Sequence, residues 1–419
     1  MVEKTKNGAE KKETPLYVKI FIALFAGIAF GYVLNFMGGV ENEIINGYVL
    51  PFFQFIGDLF IKLIKMIVVP LVFFCIIDAA LSLGDIKKLR SIGVKTIIWF
   101  LATGGISATI GLILANIIKP GRGLQLGTAE TAMEVKELPG IYQTLLDLIP
   151  SNPFQALTSG EMMQIIVFSL FLGFDIISLC SRTMFKVIDM ILGIIPYGVF
   201  SLMTVALAKY GVAIFGPVLK FILTDYLACI IMSTVGYSIF LIVIGKVNPM
   251  KFWRKAFEPW MIAFSTCTSS AALPVSMEVA PKKMGVPRDI ASFVLPLGCT
   301  AQMNGTCAYF GIVVLFAAQL YGVELSIQQQ IMLVVQATFL SVGCAATPQI
   351  GLVISLTLMT QMGLPLDAYA LVAGIYRIID QIHTSTNSVG DLVASVCISQ
   401  MEGELDHEIF NQGEAKKAA

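Results

Sequence analysis

The sequence predicts an all-α polytopic membrane protein, and three observations support this fold class. Of the 419 residues, 56% are hydrophobic and 13% are charged, whereas a soluble domain carries about 25% charged residues. The mean hydropathy is +0.81. The apolar residues form runs of roughly 20 residues, the length that a helix needs to cross a bilayer. Nothing in the chain resembles a separate soluble domain, and the zero net charge gives no indication of a nucleic-acid partner.

The reactive residue types form no enzyme-like or metal-binding pattern. The eight cysteines are scattered, with no C-x-x-C pair, and are interpreted as small apolar residues. Two histidines, His383 and His407, are too few for a histidine-based metal centre. The absence of a Walker motif, of G-x-S-x-G and of H-E-x-x-H leaves an ATP-driven pump and a membrane hydrolase without support. We expect a protein that is not an enzyme and needs no cofactor.

The first half of the chain alternates regularly between apolar runs and polar loops. A basic loop (85–95) follows the second run, and the positive-inside rule places it and the N-terminus in the cytoplasm. The second run contains Pro70 and is too long for one straight crossing, so we expect a tilted, bent helix. In chain order we predict a cytoplasmic tail (1–15), helices 1 and 2 (16–90), helix 3 (91–119), an extracellular loop (120–160), helices 4 and 5 (161–210), a C-terminal region (211–400) and a cytoplasmic tail (401–419).

The C-terminal region departs from this pattern, because small polar runs interrupt its apolar segments. Non-helical backbone at membrane depth is tolerated only inside the protein or along a wet cavity. We therefore predict two re-entrant hairpins with tips near Ser269 and Ala346, a helix broken around 302–305, and inverted repeats of the kind found in secondary transporters. Close helix packing is the alternative explanation of the small residues. The predicted order is helix 6, hairpin 1 (250–284), helix 7 (285–321), hairpin 2 (326–361) and helix 8 (366–400), giving eight transmembrane helices in all.

A polar stripe runs along the last apolar segment. Asp380, Thr384, Asn387 and Asp391 are spaced i, i+4, i+7 and i+11, which places them on one helical face. Carboxylates inside a membrane are costly and normally face a cavity or a partner, so the stripe predicts a binding site. The alternative is a polar seam that joins helices.

Several motifs together resemble the glutamate-transporter, or dicarboxylate/amino-acid:cation symporter, family. They are Gly57–Val72, Ser265–Pro274, Gln302–Thr306, Gly343–Gly351 and Asp380–Asp391. The resemblance covers nearly the whole chain. It implies a homotrimer in the plasma (inner) membrane, in which a scaffold of helices 1, 2, 4 and 5 holds a transport domain that moves as an elevator. That domain comprises helices 3 and 6–8 and both hairpins.

The resemblance also implies a substrate site. Asp380 would bind the amino group of the substrate, and Asn387 its carboxylate, with help from backbone N–H groups at the first hairpin tip. Thr384 and Thr306 would line the pocket. The full set of residues implied is Ser269, Ser270, Thr306, Ala346, Thr347, Asp380, His383, Thr384 and Asn387.

The substrate site departs from the family pattern where acidic-substrate members carry arginine. This chain has His383 at the arginine position, and Cys267 and Gln381 at the two positions where a second arginine can lie. Without a bidentate carboxylate clamp, we expect a neutral or polar amino acid as substrate. Two alternatives keep an acidic substrate, namely a protonated His383 or a grip by Arg377. Proton coupling in place of sodium, and uncoupled exchange, also stay open.

The resemblance implies sodium as the coupling ion, at sites of unequal quality. One site would use Asn387 and Asp391 and is intact. A second would use mostly backbone oxygens, at Thr300, Gln302, Ser341, Val342 and Cys344. The third is degenerate, because Phe100, Thr103, Gly104 and Asn304, with Gln302, provide no carboxylate. A buried cation without a carboxylate has little to offset its desolvation, so we expect fewer sodium ions per cycle than in sodium-coupled glutamate carriers.

Overall fold

The computed structural model describes residues 16–81, 87–124, 152–159, 164–165, 168, 186–187, 190, 193–342 and 350–411. Within these ranges every regular element is a helix or a helical turn. The predicted N-terminal tail, nearly all of the extracellular loop, most of helix 4 and the tip of hairpin 2 lie outside the described residues. The predictions for Ala346, Thr347 and Cys344 therefore lie outside them as well.

The helices follow the apolar segments of the sequence. In chain order they are α1 (Leu16–Phe36), α2 (Leu50–Leu81), α3 (Lys87–Ile118), α4 (Pro153–Ser159), α5 (Ile195–Tyr210), α6 (Phe215–Ile231), α7 (Tyr237–Val243), α8 (Pro249–Thr266), α9 (Ser269–Met284), α10 (Arg288–Ala301), α11 (Asn304–Leu320), α12 (Ile327–Val342), α13 (Ile350–Gln361), α14 (Asp367–Glu402) and α15 (His407–Asn411). A π-helical turn, Met232–Gly236, joins α6 to α7.

Three of the apolar stretches in the described residues are long and apolar enough to cross a membrane. They are Ser91–Ile118, Pro196–Val243 and Arg288–Leu320. The expectation of eight crossings goes further than this finding. One reason is chemical: α14 is 36 residues long, yet its polar stripe lowers the hydrophobicity on which such a search depends.

The first helices pack closely because glycines remove side chains from their contacts. A Cβ added at Gly27 of α1 would lie 2.6 Å from the Phe200 carbonyl oxygen of α5, and one at Gly31 would lie 2.7 Å from that of Thr204. The rings of Phe30 and Phe53 pack against Phe200 at centroid distances of 6.1 and 5.7 Å. Helices α1, α2 and α5 thus form one packed group.

The second group is built around α11 and α14. Almost every residue of α11 is buried, because α3, α6, α12, α13 and α14 surround it. α14 in turn contacts α6, α8, α9 and α10. Polar residues on the inner face of α14 are therefore enclosed by protein on several sides, which is the environment that buried carboxylates require.

Both predicted irregular regions that the structure describes contain a chain interruption. Helices α8 and α9 pack against each other and are joined by Cys267–Thr268, where Cys267 has a φ of 54°. The predicted helix 7 is divided at Gln302–Met303, between α10 and α11. That α8–α9 and α12–α13 are re-entrant in a bilayer remains a prediction.

Candidate functional site

The polar stripe predicted on the last long helix lies inside the protein. Asp380, Thr384, Asn387 and Asp391 are 6%, 6%, 3% and 5% exposed. All four belong to one uninterrupted helix, α14. The described structure divides the stripe into two ends, because different elements cover its first and second halves.

The first end lies beside the α8–α9 connection. Thr384 Oγ1 donates to Asp380 Oδ1 at 3.5 Å, and Arg377 donates to the Thr266 carbonyl at 3.1 Å. Both charged groups are close enough to the Cys267 thiol to act on it electrostatically. A carboxylate and a guanidinium therefore lie at the same helix junction, which is the charge pattern that an amino acid carrying a second carboxylate can satisfy.

The two serines predicted to help hold the substrate lie at the start of α9. Ser269 is 5% exposed. Ser270 is exposed, and its Oγ lies 3.9 Å from Cys299 Sγ on α10. The first turn of a helix leaves backbone N–H groups without intrahelical partners, so this position can accept an anion. The structure thus brings the first hairpin tip to the edge of α10, as an anion cradle there requires.

Asn387 ties α14 to the start of α11. Its Oδ1 accepts a 2.7 Å hydrogen bond from the Gly305 amide. Its Nδ2 lies 3.3 Å from Thr306 Oγ1 and 3.2 Å from Met303 Sδ. The break before α11 frees these backbone and side-chain groups, so Asn387 and Thr306 come together as predicted.

The second end of the stripe has the features of a cation site. Asp391 is buried, and its Oδ1 has no hydrogen-bond partner among the described residues. A Cβ at Gly298 would overlap that oxygen, so the carboxylate lies directly against the last turn of α10. Carbonyl groups at a helix C-terminus carry partial negative charge. A carboxylate and such carbonyls are the hard oxygen ligands that suit a small cation.

The predicted second cation set is only partly described. Thr300 Oγ1 donates to Leu297 O at 3.0 Å, and Ser341 Oγ donates to Thr338 O at 2.7 Å, each within its own helix. Both amide atoms of Gln302 are buried without a partner among the described residues. Val342 ends α12, and its side chain lies outside the described residues. Of this set, Gln302 therefore offers the unused polar atoms.

The degenerate third set is occupied by hydrogen bonds between neutral groups. Thr103 Oγ1 donates to Trp99 O at 2.9 Å and lies 3.3 Å from Asn304 Oδ1. Asn304 Nδ2 donates to Tyr237 Oη at 3.0 Å, and that hydroxyl donates to Thr386 O at 2.9 Å. Phe100 is buried, and Gly104 faces Cys307. These groups satisfy one another, so the positions come together but leave no anion for a cation to neutralise.

His383 does not join the substrate face in this structure. Its ring is fully buried, and a 2.7 Å hydrogen bond connects its Nε2 to Asp225 Oδ2 on α6. The rings of Tyr309 and Tyr376 pack against it at 5.1 and 6.0 Å. Asp225 is absent from the sequence-based prediction. The available signal was a lone carboxylate in the middle of the sixth apolar run, which is costly there unless it has a partner.

Comparison with known proteins agrees with this geometry. Residues 16–401 match the family model described as the sodium:dicarboxylate symporter family. A proton/sodium-glutamate symport protein of Geobacillus stearothermophilus is 32% identical, over 93% of this chain and 95% of that protein. A proton/glutamate-aspartate symporter of Escherichia coli (strain K12) is 33% identical, over 93% of each chain. A C4-dicarboxylate transport protein of Cupriavidus necator is 30% identical, over 94% and 93%.

Proposed function

The chain belongs to the sodium:dicarboxylate symporter family, and from this premise we propose that it takes up an acidic amino acid by cation symport. The observation that carries the proposal is the pairing of Asp380 with Arg377 at the α8–α9 junction. Asp380 would bind the ammonium group of the substrate, and Arg377 its side-chain carboxylate. The enclosing multi-pass membrane protein would lie in the plasma membrane.

This proposal replaces the expectation of a neutral substrate. The relatives are named for glutamate, aspartate and C4-dicarboxylates, and none of the three described above is named for a neutral amino acid. The missing arginines at His383, Cys267 and Gln381 led to the neutral reading. Arg377 supports the acidic one, because its guanidinium reaches the carbonyl of Thr266, next to Cys267. A guanidinium placed one helix turn earlier can serve the same carboxylate.

For coupling, we infer a sodium ion at Asp391. The unpartnered Asp391 Oδ1 and the adjacent end of α10 support this site. The neutral network around Asn304 supports the absence of a third sodium ion. The names of two relatives also include protons, so coupling to a proton beside sodium belongs to the proposal. The homotrimer, scaffold and elevator remain proposals that rest on family membership.

The substrate is tested by binding and uptake with the purified protein in liposomes. We expect aspartate or glutamate to compete with a labelled acidic amino acid, and serine and alanine not to compete. Arg377→Gln should weaken binding of the acidic amino acid about tenfold or more, since hydrogen bonds to charged groups contribute roughly 1.5–3 kcal/mol. Gln381→Ala, one turn further along α14, is the matched control. Equal affinities of both variants for aspartate would contradict the role of Arg377, and tight selective binding of serine would overturn the acidic substrate.

A further inference from the structure

A buried acid–imidazole pair lies between α6 and α14, outside the polar stripe. Asp225 and His383 are both 0% exposed and are joined by a 2.7 Å hydrogen bond. Asp225 Oδ1 and His383 Nδ1 are buried without a hydrogen-bond partner among the described residues. The pair is therefore not part of a closed structural network, and it retains one atom on each side that can accept or pass on a proton.

The charge of the pair depends on one proton. An isolated carboxylate inside a protein costs several kcal/mol of desolvation. Among the described residues the electrostatic partner of Asp225 is His383. With one proton on the imidazole the pair is neutral overall, and without it a net negative charge stays buried. The other titratable or charged groups around the pair are Cys229 and Tyr226 on α6, Tyr309 on α11, and Tyr376, Arg377 and Asp380 on α14.

The pair lies next to the residues proposed to bind substrate. His383 follows Asp380 by one helix turn and precedes Thr384. A Cβ at Gly305 would lie 2.6 Å from His383 Cα, so the start of α11 packs directly on this turn. Tyr226 Oη donates to Ile378 O at 2.7 Å, which fixes α6 to α14 beside the pair. A charge change at His383 therefore occurs in the same packed unit that would hold the substrate.

We propose that the Asp225–His383 pair is the proton-binding site of this transporter, an inference that rests on the proposed cation symport. In the loading step a proton from external water forms an N–H bond on His383, and Asp225 neutralises the resulting imidazolium. After substrate release the same proton passes to internal water. No other bond changes, and no electrons are transferred.

A metal ion is the competing occupant. Cys229, Asp225 and His383 offer ligand atoms that lie within 4.8 Å of one another. Two nitrogen or oxygen ligands at about 2.0–2.1 Å from a tetrahedral zinc ion lie more than ~3 Å apart. The 2.7 Å contact between Nε2 and Oδ2 is shorter than that, and it favours a proton.

The test measures proton flux into proteoliposomes with an entrapped pH dye, during uptake of an acidic amino acid with sodium held equal on both sides. The wild type should acidify the lumen in step with substrate and should concentrate substrate when the outside is more acidic. Asp225→Asn and His383→Gln should lose both effects, to the level of protein-free liposomes, while sodium-driven uptake or counterflow persists. Ser233→Ala is the control, because it removes a 3.1 Å hydrogen bond to Thr386 between the same elements without touching the pair.

The outcomes separate this inference from the proposed function. Sodium-driven uptake by the wild type without any proton flux would overturn the proton site and leave the proposed function intact. Failure to bind or transport any acidic substrate under every gradient would overturn the proposed function itself. Metal analysis of the purified wild type provides a readout that does not depend on how the variants fold. Stoichiometric zinc would assign the pair to a metal and also overturn the proton site.

Discussion

Asp380 and Asp391 lie on one face of one helix, yet their surroundings assign them different roles. Asp380 accepts a hydrogen bond from Thr384 and shares its junction with the guanidinium of Arg377. Asp391 faces the last turn of α10 with one oxygen unpartnered among the described residues. The first environment suits an organic ammonium group, which donates hydrogen bonds in fixed directions. The second suits a small cation, which collects oxygen ligands from all sides.

At Asp380 the expected effect of substitution is selective for amino acids. Asp380→Asn removes the charge that would hold the ammonium group, so the affinity for aspartate should fall about 10- to 100-fold, equivalent to roughly 1.5–3 kcal/mol. A C4-dicarboxylate lacks that group, and its binding should not weaken. Isothermal titration with aspartate and succinate measures both. An unchanged dissociation constant for aspartate would show that Asp380 does not contact the amino group.

At Asn304 the expected effect is a gain of sodium binding. Asn304→Asp places a carboxylate beside Thr103 Oγ1 and Tyr237 Oη, and a buried anion there needs a cation. Sodium chloride should raise the melting temperature of this variant more than that of the wild type, because a ligand that binds only the folded state stabilises it. Choline chloride at the same concentration controls for ionic strength. No sodium-specific rise would mean that loss of the carboxylate does not explain the degenerate third site.

The broken helix is the element that organises the site. α10 ends at Ala301 and α11 begins at Asn304, so one interruption exposes a helix C-terminus to Asp391 and a helix N-terminus to Asn387. The small polar run around Gln302–Gly305 made this interruption predictable, because exposed backbone at membrane depth needs nearby polar partners. The partners themselves were less predictable, since they come from residues about 80 positions later in the chain.

Close packing of α11 on α14 predicts a sharp effect of one methyl group. A Cβ at Gly305 would lie 2.6 Å from His383 Cα and 2.7 Å from its carbonyl oxygen. Backbone atoms cannot rotate away, so Gly305→Ala should destabilise the protein by about 1–3 kcal/mol and reduce substrate binding. Thermal unfolding in detergent measures the stability.

The control for Gly305→Ala is Gly216→Ala in α6. No atom lies within 4 Å of a Cβ at Gly216, and replacing such a helical glycine by alanine stabilises by about 0.4–1 kcal/mol. The two substitutions should therefore shift the melting temperature in opposite directions. A Gly305→Ala protein as stable as the wild type would contradict the close approach of α11 to α14.

At the scale of the whole molecule, the helices predicted to form the scaffold keep large apolar side chains on their outer faces. The most exposed examples on α1 and α2 are Ile22, Phe25, Phe36, Phe52 and Phe55. Lipid or a second copy of the chain can cover such faces. We expect three copies, as the family resemblance implies. Light scattering in detergent, corrected for bound detergent, should give three times the 45.5 kDa of one chain. A mass of 45.5 kDa at every detergent concentration would contradict the trimer.

By itself, the sequence determined the membrane class, the position of the helix break, the polar stripe and the family, because each of these depends on composition or on spacing along one chain. Only the tertiary structure decided which charges meet. It paired His383 with Asp225 rather than with the substrate face, and it brought Arg377 to Thr266 at the α8–α9 junction. The physical reason is that a buried charge is stabilised by whatever partner lies within a few ångströms in space. Those partners are 158 and 111 residues away in sequence.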